Sequence, residues 1–176
     1  MQRFRLIPFP SGTIPPISIN GTIKRVDNQL SIHYEVSGDI DQILLPPPST
    51  FTRKHDLWKA TCFEFFIAIK DQPRYWEFNL APSNDWNVYA MDAYRQVNMR
   101  EESVFTQLPF EFGKTSEKNS LEISVNLNPI LPPEQTLQIG IATIIQTTTE
   151  NETYWALIHP GQAADFHSRD SFVIES

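Results

Sequence analysis

Alternation of apolar and polar residues is the feature that most restricts what this chain can fold into. Every second residue is apolar between positions 30 and 37, and the same alternation recurs between positions 121 and 127. Successive side chains of a strand point to opposite faces, so this period predicts strands with one buried face and one solvated face. Denser apolar runs predict strands that are covered more fully; they lie at residues 61–70, 75–80, 137–147 and 153–158.

Weaker strand candidates occupy much of the remaining chain, at residues 4–7, 22–26, 88–94, 104–110 and 172–175. No long segment has the period of an amphipathic helix, and many of the 14 prolines lie between the apolar runs. About ten short strands with such punctuation predict an all-β fold, a two-sheet antiparallel β-sandwich of jelly-roll or immunoglobulin-like type with little helix. We expect a single domain over residues 1–176, because this length suits one hydrophobic core.

Charge and composition exclude several classes of partner. The net charge is −7 and the sequence pI is about 5.0, without the basic stripe that nucleic acid or an anionic membrane requires. No apolar run approaches the roughly 20 residues of a membrane span. Pro8 and Pro10 interrupt the N-terminal apolar stretch, so we expect no signal peptide and a cytoplasmic protein. Cys62 is the only cysteine, which rules out an internal disulfide and a multi-cysteine zinc site.

Residues 70–74 separate two dense strand-like runs and predict a central β-hairpin. If the most apolar faces of both strands point into the core, the numbers of paired residues must have an odd sum, such as 143. Glu64 and Glu77 then become diagonal neighbours on the other face, with Cα atoms about 7–8 Å apart. The predicted pairs are Glu64 with Asn79, Phe66 with Glu77, and Ala68 with Tyr75.

This polar and aromatic face allows three interpretations. It is a solvated or internally satisfied network with Arg95 compensating the carboxylates, the floor of a ligand groove, or a glycosidase pair, since inverting enzymes hold two carboxyl groups roughly 6.5–9.5 Å apart. Carboxylates and amides suit sugar hydroxyls, and aromatic rings cover the apolar faces of sugars. The candidate ligand-binding residues are Glu64, Glu77, Asn79, Trp86, Tyr89 and Arg95, with Trp86 and Tyr89 as stacking surfaces; no residue is assigned to catalysis or to a metal.

Two histidines near the C-terminus have two possible roles. His159 ends a strand-like run, and His167 follows Asp165 in a loop of small and polar residues. Together they could supply metal ligands or an acid–base pair, although the spacing offers no third ligand. They could equally hold a long loop against the sandwich by hydrogen bonds. Both roles stay open for His159 and His167.

Three stretches of the sequence resemble bacterial DOMON-like domains. They are LWKATCFEFF at 57–66, YWEFNLAPSNDW at 75–86 followed by Tyr89 and Tyr94-Arg95, and the C-terminal pieces YWAL at 154–157, HP at 159–160 and DFH at 165–167. The chain is more distantly similar to family-nine carbohydrate-binding modules, which share the Glu-x-Phe and aromatic-Glu-Phe pattern. This resemblance implies a β-sandwich with a ligand site on one sheet or at its rim. For a sugar ligand, the matching positions are Glu77, Asn79, Trp86 and Arg95, with Glu64 beside them.

The wider superfamily binds sugars or haem, so the resemblance also implies a haem-binding alternative. Haem iron takes methionine or histidine as axial ligands. The candidates here are Met91, Met99, His159 and His167, and none of them lies in a recognisable haem motif. We therefore expect a non-catalytic module that binds carbohydrate and has no cofactor. The alternatives are a haem-binding redox domain, a glycoside hydrolase acting through Glu64 and Glu77, and a protein-interaction domain.

Overall fold

The computed structural model describes residues 1–95 and 99–176. The regular structure of these residues consists of β-strands and three-residue 3-10 turns. Among them, no helix is long and apolar enough to cross a membrane. The strands are β1 (Gln2–Pro8), β2 (Ile17–Val26), β3 (Gln29–Gly38), β4 (Cys62–Ile69), β5 (Tyr75–Leu80), β6 (Trp86–Met91), β7 (Arg100–Glu101), β8 (Phe110–Lys114), β9 (Lys118–Asn126), β10 (Leu137–Gln146), β11 (Glu152–Ala156) and β12 (Ile174–Glu175).

The strands pair antiparallel throughout and form one curled sheet with two layers. Sheet A has the order β1-β2-β3-β9-β8, and sheet B has the order β7-β6-β5-β4-β10-β11, with β12 against the start of β10. Strand β1 joins the layers, because its first part pairs with β2 and its last two residues, Ile7 and Pro8, pair with β11. The predicted all-β antiparallel sandwich is confirmed.

The core lies between the two sheets and follows from the alternation in sequence. On β3, the side chains of Leu30, Ile32, Tyr34 and Val36 are buried, and the residues between them are less buried. On sheet B, Phe65 and Phe78 stack with ring centroids 4.4 Å apart. The Tyr34 hydroxyl donates a hydrogen bond of 2.9 Å to the backbone carbonyl of Glu64, which satisfies the phenol inside the core and ties the sheets together.

The outer face of sheet B is also buried, unlike an ordinary sandwich surface. Every residue of β5 and β6 is buried, because two segments outside the sheets cover them: residues 55–59 and residues 165–172. Phe172 packs on Phe66 with ring centroids 5.6 Å apart and lies over Gly140 of β10. The dense apolar runs that form β4, β5 and β10 are therefore strands with two covered faces, whereas the run at 153–158 is less covered, with Tyr154 half-buried and Ile158 exposed.

Residues 104–110 differ from the prediction of a strand. Only Phe110 belongs to one, since β8 begins there. Phe105 and Leu108 are nevertheless buried in the core, while Val104 is exposed. The apolar side chains in this run anchor an irregular connection, and the spacing of three residues between Phe105 and Leu108 does not fit the period of a strand.

Gly140 supplies a test of the packing between Phe172 and sheet B. A Cβ atom at position 140 would lie 2.8 Å from Cδ1 of Phe172, closer than van der Waals contact permits. We expect Gly140→Ala to lower the free energy of unfolding by about 1–3 kcal/mol, measured by urea denaturation. Gly113→Ala is the matched control, because this exposed strand glycine faces only the Ser120 hydroxyl at 3.0 Å, and we expect a change within about 0.5 kcal/mol. Equal effects at the two positions would contradict this packing.

Candidate functional site

The predicted hairpin register is present in the structure and brings the two glutamates onto one face. Strand β6 extends the same face, so that three rows of side chains run across β4, β5 and β6. Glu77 is in the middle row, between Phe66 on one side and Tyr89 on the other. The rows are Glu64–Asn79–Asn87, Phe66–Glu77–Tyr89 and Ala68–Tyr75–Met91.

Glu64 and Glu77 are buried with few polar partners. Their relative exposures are 2% and 4%. Asn79 donates a hydrogen bond of 2.8 Å to Oε1 of Glu77. Among the residues that the structure describes, Oε2 of Glu77 and Oε1 of Glu64 have no hydrogen-bond partner. A buried carboxylate without a partner is costly, so these two oxygens mark a site where a donor from outside the chain would be stabilised.

Burial shifts the acid–base behaviour of this face. It raises the pKa of Glu77 to about 7, because the carboxylate has lost its water. Burial also raises the pKa of Glu64 well above its ordinary value, and the nearby charge of Glu77 adds to that rise. His167 changes in the opposite direction: burial and then the positive charge of Arg95 lower its pKa to about 4, so that the imidazole is neutral at pH 7.

Aromatic and imidazole side chains from the two covering segments lie over this polar floor. Trp58 packs edge-on against Tyr89 with ring centroids 5.9 Å apart, and the Tyr89 hydroxyl lies 3.0 Å from Nδ1 of His55. On the other side, Nδ1 of His167 lies 2.9 Å from the Tyr75 hydroxyl, and its Nε2 is 4.0 Å from Oε2 of Glu77. Trp58 and His167 are partly exposed, so they form the rim of the site.

Trp86 and Arg95 do not join the other predicted residues on the buried floor. Trp86 is 3% exposed and points to the inner face of sheet B, with the Arg53 guanidinium 4.4 Å from its ring. Arg95 lies in the loop after β6 and forms an ion pair of 3.0 Å with Asp165 instead of compensating the glutamates. Glu64, Glu77, Asn79 and Tyr89 do share the outer face.

The two C-terminal histidines have separate partners. Nε2 of His159 lies 2.9 Å from the backbone carbonyl of Ile7, at the junction between the sheets. His167 instead approaches Tyr75 and Glu77, and its backbone amide donates to Asp165. Within residues 1–95 and 99–176, no three histidine, cysteine, aspartate or glutamate side chains are grouped to hold a metal ion.

Four residues of this site were absent from the predicted ligand-binding set: Trp58, His55, Asn87 and His167, of which His167 was a candidate only as a metal ligand, acid–base group or haem ligand. Parity could have found Asn87, because a strand that begins at Trp86 places residues 87 and 89 together on the face opposite Trp86. Asn87 donates a hydrogen bond of 3.0 Å to the Tyr89 hydroxyl. The other three belong to irregular segments, and no periodic signal indicates which sheet face such segments cover.

Comparisons with known proteins support the fold. No protein-family model matches the chain, and no curated protein matches it. A proposed carbohydrate-binding protein from Bacteroides uniformis has a similar structure, with a TM-score of 0.68 and 12% identity over 97% of this chain and 83% of that chain. A family-nine carbohydrate-binding module from Caldicellulosiruptor kristjanssonii in complex with cellotriose gives a TM-score of 0.59 and 9% identity over 92% of this chain and 74% of that chain.

The glucose complex of such a module from the same organism has a TM-score of 0.55 and 9% identity, over 85% of this chain and 71% of that chain. At these identities the likeness concerns the fold. The chain is therefore structurally similar to carbohydrate-binding modules of family nine, as the sequence pattern indicated.

The charge of Glu77 gives a prediction about stability and pH. Its pKa rises from 4.5 to about 7 on folding, so the native state holds a proton that the unfolded chain has lost between these values. Stability contributed by this group is complete below pH 4.5, falls as the pH rises towards 7 and is constant above that. We expect Glu77→Gln to be more stable than the wild type at pH 8, by on the order of 1–3 kcal/mol, and the difference to shrink towards pH 4.5.

Urea denaturation of both proteins at pH 4.5, 6 and 8 measures this difference. His167 titrates over an overlapping range in both proteins, so comparison of the two removes its contribution. Glu122→Gln serves as the control, because Glu122 is an exposed residue of β9 on sheet A. A stability difference between Glu77→Gln and the wild type that is independent of pH would contradict the raised pKa of Glu77.

Proposed function

We propose that this protein is a non-catalytic carbohydrate-binding module whose site is the outer face of sheet B, between Trp58 and His167. The observation that carries the proposal is the pair of buried glutamates, each with an oxygen that finds no hydrogen-bond donor among residues 1–95 and 99–176. A polyhydroxylated ligand would supply such donors. The sugar-binding proteins of similar fold make carbohydrate the first class of ligand to test.

The chemistry around Glu77 supports a sugar rather than an apolar ligand. Glu77 accepts from Asn79, and Glu64 is the cross-strand neighbour of Asn79, so two carboxyl groups and an amide lie side by side on this face. Such groups fix the positions of neighbouring hydroxyls by paired hydrogen bonds. Tyr89 and Trp58 add aromatic surface beside them, which covers the C–H faces of a sugar ring.

The DOMON-like assignment is part of this proposal and rests on the residue pattern alone, since the structural comparisons concern carbohydrate-binding modules. The two neighbouring glutamates also allow the alternative hypothesis of a glycoside hydrolase, which can be tested. Hydrolysis of an aryl glycoside by the wild type, lost in Glu77→Gln, would replace the binding-module proposal by that one. A Soret band on mixing with haem, lost when His159 or His167 is replaced, would favour the haem-binding alternative.

A thermal-shift screen against neutral mono- and oligosaccharides, including glucose and cellotriose, tests the proposal directly. A ligand present at 100 times its dissociation constant should add about 2.7 kcal/mol of stability. For a chain of this length, that corresponds to a rise in melting temperature of roughly 5–10 °C. If no sugar raised the melting temperature and calorimetry detected no heat of binding, the proposal would be wrong.

Trp58 and Trp86 provide a matched pair of variants, because one lies at the rim and the other in the core. We expect Trp58→Ala to weaken sugar binding roughly tenfold, since the ring supplies a stacking surface. We expect Trp86→Ala to lower the free energy of unfolding by about 3–5 kcal/mol through loss of core packing. Calorimetry and urea denaturation measure the two effects. Unchanged affinity in Trp58→Ala would place the sugar elsewhere on the molecule.

A further inference from the structure

We propose that the preferred ligand of this site is a sugar with a free amino group, whose ammonium contacts Glu64 and Glu77. This inference rests on the proposed function and specifies the charge class of its ligand. It follows from three properties of the outer face of sheet B: two buried carboxyl groups without a cationic partner, a ring of aromatic side chains around one of them, and acidic groups at the rim.

The first property is the mismatch between the carboxyl groups and their surroundings. Among the described residues, the one ion-pair contact of either glutamate is the approach of His167 Nε2 to Oε2 of Glu77 at 4.0 Å. This imidazole is half-buried and uncharged at pH 7, so it does not balance a carboxylate. An ammonium group has three N–H donors and a full positive charge, so it can donate to more than one carboxylate oxygen. A hydroxyl would donate one hydrogen bond and supply no positive charge to stabilise the ionised carboxylates.

The basic side chains near this face already have other partners. Arg95 pairs with Asp165 at 3.0 Å. Arg53 donates to Oδ1 of Asn87 at 2.9 Å and to backbone carbonyls, with its guanidinium against Trp86. Arg169 of the covering segment donates to the backbone carbonyl of Gln72 at 2.7 Å and to Oε1 of Gln138 at 2.6 Å. An anionic sugar would therefore meet two buried carboxyl groups and Glu101 at the rim, which disfavours uronic acids and sugar phosphates.

The second property is aromatic. Phe66 and Tyr89 are the direct cross-strand neighbours of Glu77, and Tyr75 precedes it by two residues on the same face. Trp58 packs against Tyr89 from above. A cation close to aromatic faces gains from the ring quadrupole, and carboxylates set among such rings form an environment suited to amines. Glu77 therefore has aromatic groups on three sides.

A ligand that approaches Glu77 from solvent must pass His167 at the rim of the site. The His167 side chain is 28% exposed and lies directly against Glu77, which itself is 5% exposed in its side chain. Because Oε2 of Glu77 is buried and lies 4.0 Å from this imidazole, an amine would reach it by displacing His167. The ammonium would then take the position that Nε2 of His167 occupies, closer to the carboxylate.

Isothermal titration calorimetry at pH 7 with matched sugars tests the inference. The probes are glucose, galactose and mannose, each with its 2-amino and its 2-acetamido derivative, because acetylation keeps the shape and removes the charge. In the series that binds, we expect the amino sugar to bind at least tenfold tighter than both the parent sugar and the acetamido derivative. Equal or tighter binding of a neutral member would overturn the inference and leave the proposed function intact. The absence of binding in all series would overturn both.

Variants of the two glutamates locate the effect. Glu77→Gln and Glu64→Gln should each reduce the preference for the amino sugar over its parent to within about threefold, because the amide carries no charge to pair with the ammonium. Glu111→Gln is the control, because Glu111 is an exposed residue of β8 on sheet A, and it should keep the full preference. Circular dichroism and melting curves establish that each variant is folded. A full preference that survives in both glutamate variants would assign the amine to another part of the molecule.

Discussion

In the β4–β5 hairpin, Phe65 lies opposite Phe78 and stacks on it inside the core. This pairing fixes the relative parity of the two strands, because a shift of one strand by one residue would exchange its faces and place its glutamate, Glu64 or Glu77, among the core side chains. The cost of burying a carboxylate there, and of moving a phenylalanine out of the core, excludes the shifted register. The polar face is therefore a direct consequence of how the aromatic core packs.

A second layer determines what that face becomes. Residues 55–59 and 165–172 lie on it and convert an outer sheet surface into an enclosed one, with Trp58 against Tyr89 and His167 against Tyr75. These contacts remove water from the glutamates and thereby cause the pKa shifts of both. An exposed sheet with the same residues would hold two ordinary carboxylates, so the covering segments supply the unusual chemistry of this region.

The sequence was sufficient for the strands, for the antiparallel sandwich and for the pairing of Glu64 with Asn79, because all three follow from the period of two. It was insufficient for the covering segments, since Trp58 and Phe172 reach the face through contacts between residues distant in sequence. Trp86 illustrates a different limit. Its place after a polar turn suggested a stacking surface. However, Trp86 and Tyr89 are three residues apart on the same strand, so they point to opposite faces, and Trp86 faces the core because Tyr89 faces outward. The strand expected at residues 104–110 was wrong for a similar reason, since Phe105 and Leu108 pack without alternation.

The same two glutamates connect stability with recognition. In the unliganded protein their burial reduces stability, and the large core between the sheets offsets this loss. A ligand that supplies donors or positive charge removes the unfavourable term, so part of its binding free energy comes from relief of a cost already present in the fold. Replacing either glutamate by glutamine removes the charge while retaining most of the shape. The stability of the free protein and its selectivity for a charged ligand should therefore change in opposite directions, which an ordinary surface salt bridge would not produce.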